Sequence, residues 1–127
     1  MIAGKIAKSP PMSTVTIYHN PACGTSRNTL ALLRARGIEP TVVEYLKVGW
    51  TEDGLRDLLR IMGVSPRDVL RVRGTNAVEL GLTDPAKTDE DLIRAMVREP
   101  ALVERPIVVG PKGAVLCRPV ESVLTVL

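Results

Sequence analysis

Short β-branched runs alternate with amphipathic segments along this chain, a pattern typical of α/β domains. Residues 14–18 and 41–45 are rich in Val, Ile, Thr and Tyr and predict strands. Between them, residues 26–36 carry leucines at helical spacing and predict a helix with Thr25 or Ser26 as its N-cap. A strand, a helix and a strand in this order predict a βαβ unit with parallel strands and a right-handed crossover.

Helical signals dominate the middle of the chain. Each has a capping residue or an N-terminal proline ahead of it, and together they predict helices over residues 52–62, 66–71, 89–98 and 120–127. Apolar residues 106–109 and 114–117 flank a Gly/Pro-containing turn and predict a hairpin. We therefore expect an α/β fold: a mixed four-stranded sheet flanked by helices, with a helical insertion between the second and third strands.

The length of 127 residues fits one domain, which can bury a core without a disulfide or a metal. We expect residues 1–13 to form a disordered lead-in, because Ser9 is followed by two prolines, and residues 14–127 to form the domain. Translation starting at Met1 and translation starting at Met12 are both compatible with this sequence. Two distant cysteines, Cys23 and Cys117, without a secretory signal favour a cytoplasmic protein with free thiols.

Charge and composition exclude several classes of function. The net charge of +3 permits an anionic partner, but there is no dense Lys/Arg run to bind nucleic acid. Phe is absent and aromatic residues make up 2% of the chain, so base-stacking platforms are not expected. No apolar stretch reaches the length of a membrane span. We expect neither a nucleic acid nor a membrane as a partner.

Cys23 is the strongest candidate for chemistry. It lies in a Pro/Gly-containing loop directly ahead of the first predicted helix. The free N–H groups and the dipole of a helix N-terminus stabilise a thiolate. Ser26 stands where a dithiol redox loop would have its second cysteine, so a redox cycle at this loop needs an external thiol. The alternative for Cys23 is a small buried apolar residue, which its loop neighbours disfavour.

A phosphatase-type loop is a weaker alternative for the same segment. Such a loop wraps a phosphate with an arginine six residues after the cysteine. Here Arg27 follows Cys23 by four residues, and Thr29 occupies the required position. The spacing therefore disfavours this class.

Four segments resemble the glutaredoxin-coupled arsenate reductases of the thioredoxin-like superfamily. Residues 19–30 (HNPACGTSRNTL) are similar to the active-site segment of that family. Residues 105–109 (RPIVV) and 116–119 (LCRP) are similar to its two C-terminal motifs, and residues 62–71 to its middle segment. The resemblance spans almost all of residues 14–124.

The resemblance implies a thioredoxin-like fold and reduction of arsenate to arsenite. It implies that Cys23 is the nucleophile and that Arg71, Arg105 and Arg118 bind the oxyanion. Glutathione would be the co-substrate and glutaredoxin the protein partner, with no bound cofactor and no metal ion. We expect a monomer. A non-enzymatic regulator on the same fold, similar to RNA-polymerase-binding stress proteins, stays the alternative, although such proteins often use a Cys-x-x-Cys switch.

Other residues around the motif have two interpretations each. His19 either lowers the thiol pKa and moves protons or is a loop residue, and Ser26 either bonds the sulfur or caps the helix. Arg27, in the first helical turn, opposes the dipole, which suggests contact with an anion. The resemblance favours a cis peptide before Pro106, and Cys117 is expected in or next to the core.

Magnitudes indicate what must drive catalysis at such a site. Lowering the pKa of a thiol by about two units raises its thiolate fraction at neutral pH roughly 25-fold. The weaker base then loses roughly 6- to 10-fold in nucleophilicity. Because the net gain is small, binding the oxyanion beside the sulfur must contribute more. This is the role expected of the arginines and the loop N–H groups.

Overall fold

The computed structural model describes residues 15–127. The predicted lead-in, residues 1–13, and Thr14 of the predicted first strand lie outside the described residues. The chain divides into two compact units. Among the described residues, the sheet unit contains 15–44 and 105–127, and the helical unit contains Tyr45–Glu104.

The sheet unit contains a mixed four-stranded sheet with the order β2-β1-β3-β4. Its strands are β1 (Thr16–Tyr18), β2 (Thr41–Val43), β3 (Ile107–Gly110) and β4 (Gly113–Leu116). Strand β1 pairs parallel to β2 on one side and antiparallel to β3 on the other, and β3 and β4 form a hairpin. The predicted four-stranded mixed sheet is confirmed.

The first helix, α1 (Gly24–Ala35), begins earlier than the sequence pattern predicted. Its N-cap is Cys23, which makes no side-chain capping hydrogen bond. The predicted N-cap at Thr25 or Ser26 is wrong because the Ser26 hydroxyl has other partners. It accepts from the backbone N–H of Asn20 at 3.0 Å and contacts the His19 ring. The correction brings Cys23 itself to the helix terminus.

The core of the sheet unit is aliphatic. Ile17 and Val108 from the sheet pack with Leu33 of α1 and with Val123 and Val126 near the C-terminus. The last two belong to Val120–Val126, which is a 3₁₀ helix rather than the predicted α-helix. This segment packs against α1 and the β3–β4 hairpin.

The second predicted strand is shorter in the structure. It ends at Val43, and Tyr45 begins a four-residue helix, α2 (Tyr45–Val48). The Tyr45 ring is buried and stacks on Trp50 in the helical unit, with the ring centroids 5.2 Å apart. Burial of this aromatic pair outweighs the strand propensity of an isolated tyrosine.

Two helices form the frame of the helical unit, α3 (Glu52–Met62) and α4 (Asp89–Arg98), and they pack against each other. The predicted caps are confirmed. The Thr51 hydroxyl accepts from the backbone N–H of Gly54, and Gly63 ends α3 with a left-handed φ of 72°. Thr88 and Asp91 form a reciprocal capping box at the start of α4. No helix within residues 15–127 is long and apolar enough to span a membrane.

The helix predicted over residues 66–71 is a shorter 3₁₀ helix, Pro66–Val69. It stops because Leu70 forms an isolated antiparallel bridge with Val103. The N–H of Arg71 donates to the carbonyl of Leu102 at 2.7 Å, next to that bridge. Long-range backbone pairing therefore places Leu70 and Arg71, which the local pattern assigned to a helix, in an extended segment.

Candidate active site

Cys23 lies at the point where the β1–α1 loop becomes helix. Its backbone is extended, with φ −96° and ψ 123°, and its free thiol is half-buried. The backbone N–H groups of Thr25 and Ser26 and the Arg105 side chain lie close enough to the sulfur to stabilise its thiolate form. Three positively polarised donors therefore converge on one sulfur at a helix N-terminus.

These donors lower the pKa of the Cys23 thiol. Burial by itself raises the pKa because it disfavours the charged thiolate. The Ser26 N–H, the Arg105 guanidinium and the Thr25 N–H together outweigh burial, and the positive charge of Arg105 adds to their effect. The pKa falls below its ordinary value, and more of the thiol is ionised at neutral pH.

His19 and Ser26 form a buried pair behind the cysteine. The His19 Nδ1 and the Ser26 Oγ lie 2.7 Å apart, and the Ser26 side chain is fully buried. Burial lowers the pKa of His19; the nearby Arg34 and Arg27 lower it further, while Glu44 opposes them. His19 is therefore neutral at pH 7, and its contact with the cysteine segment runs through the Ser26 hydroxyl. The Ser26 group that reaches the sulfur is its backbone N–H.

Asn20 organises the loop, and the sequence patterns did not single it out. Its carbonyl accepts the Cys23 N–H at 2.9 Å, and its side-chain Oδ1 accepts the Ala22 N–H at 3.0 Å. Asn20 is 7% exposed, so its own side chain is largely shielded from water. The signal was present in the sequence, because an asparagine followed by a proline favours a side-chain-stabilised turn.

Arg105 is the predicted oxyanion ligand that the structure brings to Cys23. Its Nε is buried and has no hydrogen-bond partner among the described residues. Arg118 lies beside it, since Nη1 of Arg118 donates to the Arg105 carbonyl at 3.0 Å. Arg105 and Arg118 each precede a cis proline, at Pro106 as expected and also at Pro119. Arg105, which is 82 positions from Cys23 in the sequence, therefore acts on the thiol, and Arg118 contacts the backbone of Arg105.

Arg27 projects from the first turn of α1 back to the loop. Its Nη1 donates to the Pro21 carbonyl at 2.9 Å, and the side chain is exposed. This bond holds the cation close to the loop that carries Cys23. The predicted contact of Arg27 with an anion stays a prediction.

Cys117 is a core residue in the structure. It is fully buried, and its thiol donates to the Val115 carbonyl at 3.7 Å. Burial raises the pKa of Cys117 to about 12, although a backbone hydrogen bond from Val108 acts in the opposite direction. A thiol that stays protonated and dry is not a nucleophile at neutral pH.

Arg71 belongs to the helical unit, where it pairs with a carboxylate. Its Nη1 lies 2.8 Å from Glu104 Oε1, and the two side chains are 15% and 24% exposed. The adjoining backbone pairing holds both residues, because the Glu104 N–H donates to the Val69 carbonyl at 2.8 Å. The role of Arg71 as an oxyanion ligand stays a prediction.

These features define a class of protein. The sheet order, the βαβ unit and the hairpin form a thioredoxin-like fold with a single cysteine at the N-terminus of the first helix. The cysteine, the loop N–H groups and Arg105 can bind and attack an anionic electrophile. Within residues 15–127, no group of three His, Cys, Asp or Glu side chains is arranged to hold a metal ion.

Comparison with known proteins identifies the family. The model of the ArsC family matches residues 18–126, and the chain belongs to that family. The arsenate reductase of Rhizobium meliloti is 55% identical over 114 residues, which cover 90% of this chain and 81% of the relative. The arsenate reductase of Escherichia coli K12 is 52% identical over 116 residues, which cover 91% and 82%.

The fold assignment is supported by solved structures. The arsenate reductase from Vibrio cholerae superposes with a TM-score of 0.85 at 42% identity, covering 89% of this chain and 97% of that structure. The predicted thioredoxin-like, arsenate-reductase-related fold is therefore confirmed.

Proposed function

We propose that this protein reduces arsenate to arsenite through a covalent arsenic–sulfur intermediate on Cys23, with glutathione and glutaredoxin as electron donors. The observation that carries the proposal is the position of Cys23 at the N-terminus of α1, where two backbone N–H groups and Arg105 lower the pKa of its thiol. The Nε of Arg105, which is buried and has no hydrogen-bond partner within residues 15–127, supports the binding of an anion at this place. The names of the relatives, which are arsenate reductases at 50–55% identity, point to arsenate as that anion.

The positive charges of the arginine side chains explain how the oxyanion would bind. Arsenate is a tetrahedral anion, and a planar guanidinium can grip two of its oxygens. Arg105 and Arg118 supply two such groups, and Arg71 is proposed as the third on the basis of the family resemblance. Leaving a buried N–H unpaired costs about 1–3 kcal/mol, which an arsenate oxygen at the Arg105 Nε would recover.

The first covalent step is a condensation. The Cys23 thiolate attacks arsenic, one arsenate oxygen leaves as water after protonation, and arsenic stays pentavalent. The helix N-terminus and the arginines stabilise the charge on the remaining oxygens. The neutral His19, linked to the loop through Ser26, is suited to exchange a proton near the leaving oxygen.

The reduction itself needs two external thiols. Glutathione condenses with the enzyme-bound arsenic, releasing a second water. A glutaredoxin thiolate then attacks the glutathione sulfur and forms a mixed disulfide. The electron pair of the broken sulfur–arsenic bond stays on arsenic, which becomes trivalent. Water finally displaces Cys23 and releases arsenite. The sum converts one arsenate and two thiols into one arsenite, one disulfide and one water.

The substitution Cys23→Ser tests the proposal, with Cys117→Ser as the matched control. We expect Cys23→Ser to abolish arsenate-dependent NADPH oxidation in an assay that contains glutathione, glutaredoxin and glutathione reductase. Cys117→Ser should retain the activity, because its sulfur is buried and protonated at neutral pH. Arsenite formation is measured directly by liquid chromatography with elemental detection.

Two results would contradict the proposal. Arsenite production by Cys23→Ser at the rate of the unchanged protein would remove Cys23 from the reaction. Absence of turnover by the unchanged protein, together with no stabilisation against heat by arsenate, would favour the regulatory alternative. In that case, binding to RNA polymerase is the assay to perform next.

A further inference from the structure

The need for an external thiol raises the question of where it binds. The chain has two cysteines, and Cys117 is fully buried with a pKa raised to about 12. Ser26 occupies the position of a local resolving cysteine. The thiol that reacts with arsenic on Cys23 must therefore come from solution and reach the cysteine loop.

A groove runs from the cysteine loop along one face of α1. We call it the helix groove, and its volume is about 710 Å³. Its lining residues are His19, Pro21, Arg27, Leu30, Ala31, Arg34 and Ala35. The first two belong to the Cys23 loop, and the other five lie at helical spacing on one side of α1. The groove thus begins within a few residues of the reactive sulfur.

The helix groove combines an aliphatic floor with cationic edges. Leu30, Ala31 and Ala35 form the apolar part, and two of their side chains are small. The bond from Arg27 to the Pro21 carbonyl holds its guanidinium at the loop end. Arg34 lies one turn beyond Leu30 on α1, and its Nε and Nη2 pair with Glu39. Arg27 therefore supplies a cation with no carboxylate partner among the described residues.

This lining favours a small anionic ligand over a neutral one. The lining combines apolar side chains with a few polar groups, which is the mixture that small-molecule sites use. A guanidinium at one end binds a carboxylate, and small alanines leave room for an aliphatic chain. A peptide thiol with carboxylates has these features and a sulfur to direct at the loop.

We propose that the helix groove binds a small anionic peptide thiol and directs its sulfur to the arsenic on Cys23. The inference rests on the proposed function. In the step concerned, the thiol sulfur bonds to arsenic and an arsenic-bound oxygen leaves as water, with no change in oxidation state. Arg27 holds a carboxylate of the thiol, and the floor of the groove contacts its aliphatic part.

Binding is tested with S-methylglutathione, which cannot react. We expect saturable amide shifts in a nitrogen–proton NMR titration, concentrated at residues 27–35. Arg27→Gln should raise the Kd about 5- to 10-fold, because it removes one exposed contact with a carboxylate. Ala31→Glu should raise the Kd by a similar factor, because it adds a negative charge to the floor of the groove. Arg36→Gln is the matched control, because it removes an exposed charge at the C-terminal end of the same helix, outside the groove. It should change the Kd less than twofold.

Turnover gives the second readout. In the arsenate assay, Arg27→Gln and Ala31→Glu should each raise the KM for glutathione about 5- to 10-fold. Ala31→Glu, which lies outside the oxyanion site, should leave the KM for arsenate unchanged. Replacing glutathione by the cationic thiol cysteamine should remove the difference between variants. A parallel thermal-unfolding measurement on each variant checks that it folds like the unchanged protein.

The outcomes separate this inference from the proposed function. The groove assignment is overturned if the unchanged protein reduces arsenate but neither groove variant changes the Kd for S-methylglutathione or the KM for glutathione. Amide shifts confined to the neighbours of Arg105 and Arg118 overturn it as well. Saturable shifts along α1 without any arsenate reduction would leave the groove as a thiol site and defeat the proposed function alone.

Discussion

At the scale of single residues, Ser26 connects the parts of the cysteine loop. Its buried hydroxyl accepts the Asn20 N–H and contacts the His19 ring, and its backbone N–H faces the Cys23 sulfur. The side chain and the backbone of Ser26 therefore have different roles. The hydroxyl holds the loop, and the peptide N–H stabilises the thiolate.

Replacing Ser26 by alanine separates the two purposes. We expect Ser26→Ala to cost about 1–3 kcal/mol of unfolding free energy, because it leaves the buried Asn20 N–H unpaired. The pKa of Cys23 should stay below its ordinary value, since the peptide N–H remains. Arg105→Gln should raise that pKa. Urea unfolding gives the first quantity, and the ultraviolet absorbance of the thiolate against pH gives the second.

Ser122→Ala is the control for this experiment. Ser122 is partly exposed, and removing its hydroxyl should change stability by less than about 0.5 kcal/mol. If Ser26→Ala raised the pKa of Cys23 more than Arg105→Gln does, the assignment of thiolate stabilisation to backbone N–H and guanidinium would be wrong.

At the scale of elements, the hairpin and the C-terminal 3₁₀ helix meet without space between them. A Cβ at Gly110, the last residue of β3, would overlap the Val126 carbonyl. The same region carries the backbone bond from the Lys112 N–H to the Val126 carbonyl at 3.1 Å. Glycine at this position lets the C-terminal segment close over the core of the sheet unit.

Two glycine substitutions should therefore act in opposite directions. Gly110→Ala is expected to cost about 1–3 kcal/mol, because backbone must move to admit the methyl group. Gly24→Ala should gain about 0.4–1 kcal/mol, since a Cβ there meets Arg27 Nη2 at 3.7 Å, an ordinary contact, and alanine has less freedom when unfolded. Chemical unfolding of both variants checks the signs. If Gly110→Ala left the free energy of unfolding unchanged, the backbone at Val126 would have to move without cost, and the explanation would be wrong.

At the scale of the whole molecule, the reactive groups are far apart in the sequence. Cys23, Ser26 and His19 come from the first loop, and Arg105 and Arg118 from the hairpin region. Strand β1 lies between β2 and β3, so the centre of the sheet joins these two regions. The sheet unit depends on both ends of the described chain, whereas the helical unit is formed by one continuous segment.

Stability of the helical unit should depend on its enclosed ion pair. Glu104→Gln is expected to cost about 1–3 kcal/mol, because Arg71 and Glu104 are 15% and 24% exposed and the remaining charge loses its partner. Asp57→Asn breaks the pair with Arg60, whose side chains are 70% and 72% exposed, and should cost at most about 0.5 kcal/mol. Equal costs in thermal and urea unfolding would contradict this ranking.

Local signals in the sequence were sufficient for part of the site. The loop residues before α1 identified Cys23 as a thiol at a helix terminus, and the caps at Thr51 and Thr88 were correct. The N-cap of α1 was assigned to Thr25 or Ser26 from residue preferences alone. Such preferences do not show that the Ser26 hydroxyl already accepts the Asn20 N–H. The role of Asn20 was missed although its partners, Ala22 and Cys23, are local and the Asn-Pro pair indicated a turn.

What the sequence determined by itself is the local part: the alternating elements, most helix caps, the hairpin turn and the reactive cysteine. These depend on neighbours within about four residues, where propensity and periodicity act. The tertiary structure alone decided which distant groups meet. The Arg105 contact with the Cys23 sulfur, the Arg71–Glu104 pair and the Leu70–Val103 bridge join residues more than thirty positions apart. Burial and long-range backbone pairing select such contacts, and local sequence does not encode them.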